Sequence, residues 1–141
     1  MGVVIDTSVW SAVLRRGSPA PAPVAAALNH ILTTEPVELL GLVRMELLSS
    51  IASEQFLASL KRELRKYPDI ALEVADYEMA ADFRTLCRRK GVQGSLADFL
   101  LCAAAVRREL EVFALDRDFR HFAKFIPIQL HLPELIGIED S

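Results

Sequence analysis

The sequence predicts an α/β sandwich around a mostly parallel sheet, and three observations predict it. Short apolar runs that suit buried strands alternate with helical patterns along the chain. The chain of 141 residues, 52% of them hydrophobic and 25% charged, is long enough for one compact core over 1–141 and too short for two ordinary ones. There is no internal repeat and no low-complexity segment beyond one Ala-Pro stretch.

The elements follow in order. Val3-Val4-Ile5 is a β-branched run suited to a buried strand, and it ends at three helix-starting residues, Asp6-Thr7-Ser8. A helix over 8–15 stops at Gly17, and the segment 18–23, Ser-Pro-Ala-Pro-Ala-Pro, reads as a stiff connector to a helix over 24–32. A second strand is expected over 37–40, with Gly41 as the break before a helix over 42–51. The stretch 53–66 is amphipathic, with Phe56, Leu57, Leu60 and Leu64 on one face and Arg62, Arg65 and Lys66 on the other. A short strand is expected over 70–74. The next amphipathic helix spans 76–90, with Met79, Phe83 and Leu86 turned inward and Gly91 as its stop. A helix over 95–109 is apolar nearly all round and therefore buried. A strand over 112–115, a short helix over 119–125 and a last strand over 128–132 complete the pattern.

Composition excludes several classes. The formal net charge of -3 argues against a broadly basic nucleic-acid-coating protein, although a local basic patch can outvote the total. Cys87 and Cys102 lack metal-site spacing and read as buried thiols of a reducing cytoplasm. No signal-peptide pattern is visible, and the longest apolar stretch, over 99–106, is far short of the roughly 18–20 residues that span a bilayer. The expectation is a cytoplasmic domain without a membrane.

Two strands end in aspartate, at Ile5-Asp6 and Leu115-Asp116. In open parallel sheets ligands bind outside the carboxyl ends of the strands, so these acids would face one crevice. Each also has a local explanation, Asp6 as a helix cap and Asp116 as a turn former. Asp98 is the only charged residue over 95–106; Ser95-x-x-Asp98 has capping-box spacing, yet a carboxylate carried inward by an apolar helix is costly unless paired or bound to a cation. Glu46 follows an apolar strand among apolar neighbours and could equally be an exposed position on a surface helix. Asp118 could serve the same site or cap the short helix.

Converging carboxylates repel: at about 5 Å and an effective dielectric near 20, a pair costs roughly 3 kcal/mol. A hard divalent cation with oxygen ligands, Mg²⁺ or Mn²⁺, is the natural remedy, since His30, His121 and His131 are scattered and make no zinc set with the cysteines. Such a site suits phosphoryl chemistry. Thr7 and Ser8 could hold a phosphate or a metal-bound water, and Arg117 adjoins Asp116 as a phosphate contact. Arg15, Arg16, Arg44, Arg88, Arg89, Lys90 and Arg120 are further candidates.

Four segments come in order: Val3-Val-Ile-Asp-Thr-Ser-Val-Trp10, Met45-Glu-Leu-Leu48, Asp98-Phe-Leu-Leu-Cys-Ala-Ala-Ala105 and Leu115-Asp-Arg-Asp-Phe119. Together they resemble the PIN domain, and specifically the VapC toxins of bacterial and archaeal toxin–antitoxin pairs. The resemblance implies a three-layer α/β/α sandwich, an acidic Mg²⁺ or Mn²⁺ site and endoribonuclease activity on RNA. It also implies a homodimer and a small VapB-like antitoxin that blocks the site. Asp6, Glu46, Asp98 and Asp116 match the four family acids, Asp118 a more variable accessory one, and Ser8 the hydroxyl near the scissile phosphate. Ala114 stands where many relatives have Thr. On this reading Asp6, Asp98 and Asp116 hold the cation, while Glu46 completes the coordination or positions the water. Two alternatives are a PIN-like RNA-binding or scaffold module without catalysis and a phosphatase of haloacid-dehalogenase type. For the latter, Asp116-x-Asp118 carries Arg120 where a Thr belongs.

Overall fold

The computed structural model describes residues 2–14 and 22–131. The expected stop at Gly17, most of the Ala-Pro connector, and Arg15 and Arg16 lie outside the described residues. Four strands form one sheet: β1 (Val3–Ile5), β2 (Val37–Glu38), β3 (Glu111–Phe113) and β4 (Gln129–Leu130). Their order is β2-β1-β3-β4 and every pairing is parallel, with Val3 opposite both Val37 and Glu111 and Ile5 opposite Phe113. Val3, Val4, Ile5, Val112 and Phe113 are almost wholly buried, as a sheet covered on both faces requires.

Between the strands run α1 (Thr7–Leu14), α2 (Ala22–Thr34), α3 (Gly41–Ser49), α4 (Glu54–Leu64), α5 (Val74–Arg89), α6 (Leu96–Arg107) and α7 (Asp118–Phe122). The right-handed crossover rule assigns α1 and α2 to one face of the sheet and α6 and α7 to the other, because the path reverses direction after β2. The result is the expected α/β/α arrangement. Helix α6 lies against β1 and β3 and is buried from Phe99 to Ala105, which its all-round apolar sequence foretold. Among the described residues no helix is long and apolar enough to cross a membrane.

Three expectations need correction. The strand expected over 70–74 does not form; one bridge, Leu39 to Asp69, is all that pairs, because Glu73 already caps α5. In α5 the inward face is Asp76, Ala80, Phe83 and Cys87, whereas Leu86 is exposed. The helix therefore sits turned by about one residue from the face its apolar residues suggested, and Asp76 explains why. Fully buried, it accepts from Arg107 Nη1 at 2.9 Å and from Arg108 Nη1 and Nη2 at 2.7 and 2.9 Å, and its second oxygen accepts from the Glu73 N–H at 2.7 Å. Those bonds, the Arg108 ones foremost, hold its carboxyl well below the usual carboxylate range against the opposing effect of burial. The last helix is also shorter than expected, ending at Phe122. Cys87 and Cys102 are buried free thiols, as expected.

Candidate active site

The sheet order places a topological switch between β1 and β3: the chain leaves β1 toward one edge and returns to β3 on the other side. Loops diverge there at the C-terminal strand ends, which opens a crevice. Asp6 follows β1 immediately, and its N–H donates to the Phe113 carbonyl at 2.8 Å, tying the end of β1 to the end of β3. Asp116 follows β3 by three residues and is exposed.

Asp6 is nearly buried, and its Oδ2 accepts the Ser8 N–H at 3.0 Å, so the local capping role is real. Asp116 likewise accepts the Asp118 N–H at 2.9 Å in the turn that starts α7. At the start of α6 the capping box is complete: Ser95 Oγ accepts the Asp98 N–H at 3.0 Å, and Asp98 accepts the Ser95 N–H at 3.3 Å. Each local explanation therefore holds, and yet the three acids also meet electrostatically. Burial raises the Asp98 carboxyl above its ordinary value, the Ser95 bonds oppose this, and repulsion from Asp6 and Asp116 adds to the rise. One turn further into α6, the Cys102 thiol is raised by burial and then by Asp98, Cys87 and Asp6. Among the described residues no Lys, Arg or His forms an ion pair with Asp6, Asp98 or Asp116.

The fourth acid reaches the same rim from α3. Glu46 is exposed, and its Oε1 accepts from Thr7 Oγ1 at 3.0 Å across 39 residues of chain. The Thr7 hydroxyl proton is thus directed at Glu46. Ser8 Oγ accepts the Leu115 N–H at 3.0 Å, which leaves its own proton available to donate and stitches α1 to the chain beyond β3. Arg117 caps the start of α7 and lines a surface pocket with Arg120, His121 and Lys124. Asp118 is exposed at the first turn of that helix. Of the arginines named from sequence, Arg44 is spent on Asp69 at 2.6 Å.

The donor set is aspartate oxygen throughout, the chemistry a hard divalent cation takes. Among the described residues no three carboxylate, imidazole or thiol groups stand close enough to form a finished metal cluster. The fit therefore rests on donor type and on the mutual repulsion of Asp6, Asp98 and Asp116, charges that a shared cation would offset. One turn along α1 and α3 from the Thr7–Glu46 bond, an apolar groove of about 440 Å³ is lined by Ser11, Leu14, Leu47, Ile51 and Phe56.

A parallel 2-1-3-4 sheet with an aspartate following each of its two central strands defines an acidic strand-end α/β domain. The family model of the PIN domain matches residues 3–125, and the chain belongs to the PIN domain family. Its fold is similar to that of FitAcB from Neisseria gonorrhoeae, at 20% identity and a TM-score of 0.70 over 93% of this chain and 97% of that one. It is also similar to VapBC2 from Rickettsia felis, solved bound to a DNA fragment from their promoter, at 15% identity and a TM-score of 0.72 over 93% and 98%. A third similar structure is Mycobacterium tuberculosis VapC20, a Sarcin-Ricin loop cleaving toxin, at 19% identity and a TM-score of 0.61 over 89% and 98%. A comparison with curated protein sequences finds no match. PIN membership leaves the haloacid-dehalogenase alternative without support.

Proposed function

We propose that the chain is a Mg²⁺- or Mn²⁺-dependent endoribonuclease of VapC type, the toxin of a toxin–antitoxin pair. The observation that supports the reading is that Asp6 and Asp116, which follow β1 and β3, and Asp98, in the first turn of α6, come from three separate elements, with the charges of Asp6 and Asp116 adding to the rise of the Asp98 carboxyl. Asp6, Asp98 and Asp116 would hold the cation, with Asp118 as an accessory. When bound, the ion would polarise a phosphodiester and make water a better nucleophile.

The remaining steps belong to the chain's own groups. Glu46, whose Oε1 accepts from Thr7 Oγ1, would complete the coordination or position the attacking water. Ser8, fixed by the Leu115 N–H, donates its hydroxyl proton to a phosphate oxygen.

A cognate VapB-like antitoxin, a homodimer and a cytoplasmic location belong to the same proposal. The antitoxin finds support in the similarity to VapBC2, which was solved on promoter DNA. The test is Mn²⁺-dependent cleavage of total cellular RNA with mapped ends, comparing the wild type with Asp98→Asn. Discrete new ends from the wild type alone support the reading; no cleavage by the wild type, or equal cleavage by both, overturns it.

A further inference from the structure

The chain's 16 lysines and arginines do not stand equal. Arg44, Lys66, Arg107 and Arg108 are engaged in ion pairs with Asp69, Glu63, Glu73 and Asp76. Arg117 and Arg120 already have partners as well. Arg84 and Arg88 belong with the exposed bases that form no ion pair among the described residues, and they are set apart by the cleft they line together. Both are exposed on α5, one turn apart on the same face.

The chain then folds back on them. Gly91 adopts a left-handed φ of 78°, the conformation that lets glycine end a helix and reverse the path. The Val92 N–H donates to the Cys87 carbonyl at 2.8 Å, closing the turn. Gln93 and Gly94 are thereby laid alongside Arg84 and Arg88, and the five residues Arg84, Arg88, Val92, Gln93 and Gly94 line a cleft of about 180 Å³. Its far wall is fixed. A Cβ on Gly94 would lie 2.4 Å from Phe122 Cζ and 3.0 Å from Phe99 Cε2, so the backbone there is pressed onto the buried rings of α6 and α7.

Two arginines, an amide side chain and a rigid wall make a site for an anion with several oxygens. Its position says which anion. Gly94 directly precedes the Ser95 cap of α6, and Asp98 follows within the first helical turn, so cleft wall and carboxylate lie within about 10 Å, backbone to backbone. A neighbouring phosphate of a polynucleotide threaded past Asp98 falls within that reach. The C-terminal dipole of α5 opposes an anion there, but the two full charges on Arg84 and Arg88 outweigh its half charge.

We infer that the Arg84–Arg88–Gln93 cleft is a backbone-phosphate subsite that holds the RNA strand flanking the cleavage point. This rests on the endoribonuclease reading above. Arg84 and Arg88 are positioning residues: they grip the strand and touch no reacting atom.

The test is fluorescence anisotropy with a labelled mixed-sequence single-stranded RNA of roughly 16 nucleotides. Ca²⁺ replaces Mg²⁺, and salt runs from about 50 to about 200 mM. Two lost contacts on a single strand make the slope of log affinity against log salt shallower by about 1.4 for Arg84→Gln/Arg88→Gln, with roughly tenfold weaker binding at the low-salt end. The control Arg62→Gln/Arg65→Gln removes the same charge from the exposed C-terminal end of α4 and its cap and leaves the slope as it was. Wild-type binding with an unchanged slope in the cleft variant, or an equal change in the control, overturns the subsite and leaves the nuclease reading standing. A wild type that binds no RNA at low salt overturns both.

Discussion

At the scale of single residues, the acids of the crevice do two jobs at once. Asp98 completes a capping box with Ser95 and is also pressed by the charges of Asp6 and Asp116. Asparagine keeps the cap, since its carbonyl oxygen can still accept the Ser95 N–H, but removes the charge. Asp98→Asn should therefore leave the melting temperature in EDTA unchanged or higher, while RNA cleavage falls by more than about 100-fold, beyond the loss typical of an outer-shell change. A clear drop in the EDTA melting temperature would mean that Asp98 acts as a structural cap alone. Sequence singled out Asp6, Asp98 and Asp116 as candidates because a strand end and a lone acid in an apolar helix are local patterns. The Thr7–Glu46 bond spans 39 residues and carries no local signal, so the pairing of these two side chains was visible only in the fold.

At the scale of elements, α5 and α6 are held together by a buried charge that the sequence pattern hides. Asp76 sits at the third position of α5, where an acid reads as an ordinary first-turn residue favoured by the helix dipole. Its partners, Arg107 and Arg108, lie more than thirty residues on, at the end of α6. Asp76→Asn should cost about 3 kcal/mol near neutral pH, as removal of one partner from a buried pair does, measured by urea unfolding. The sign with pH follows from the depressed folded-state value. Asp76 contributes its full stability above the unfolded-state value near pH 4, and the wild type loses that contribution as pH falls below it, whereas Asp76→Asn has none to lose. The gap between the two should narrow steadily on acidification; a constant gap from pH 7 downward would contradict this account. The contact between the loop before α6 and α7 is tested in the same way. Gly94→Ala forces a methyl group into Phe122 and Phe99 and should cost about 1–3 kcal/mol by overpacking. An unchanged unfolding midpoint would show that the rings yield freely.

At the scale of the whole molecule, the alternation of strands and helices was enough to give the parallel α/β sheet, while its weakest element was misjudged. The stretch after Asp69 has strand-like residues but only a few positions before Glu73 must cap α5, so the competing helix wins. The overall charge of -3 also takes on a different meaning. Setting Asp6, Glu46, Asp98 and Asp116 apart from the 19 acids leaves 15 against 16 bases, so under the proposed metal-site reading the surplus of negative charge belongs to that site. That site is the part of the molecule a divalent cation would stabilise. An ion that binds the folded chain and not the unfolded one adds about 2.7 kcal/mol at a hundred times its dissociation constant. For a domain of this size that is a rise of several degrees. Titration with Mn²⁺ should therefore raise the melting temperature of the wild type progressively, and Asp6→Asn/Asp98→Asn should abolish the rise while starting from an equal or higher baseline in EDTA. Mn²⁺ shifts of the same size in both proteins would place any ion elsewhere and remove the reason for these acids to converge.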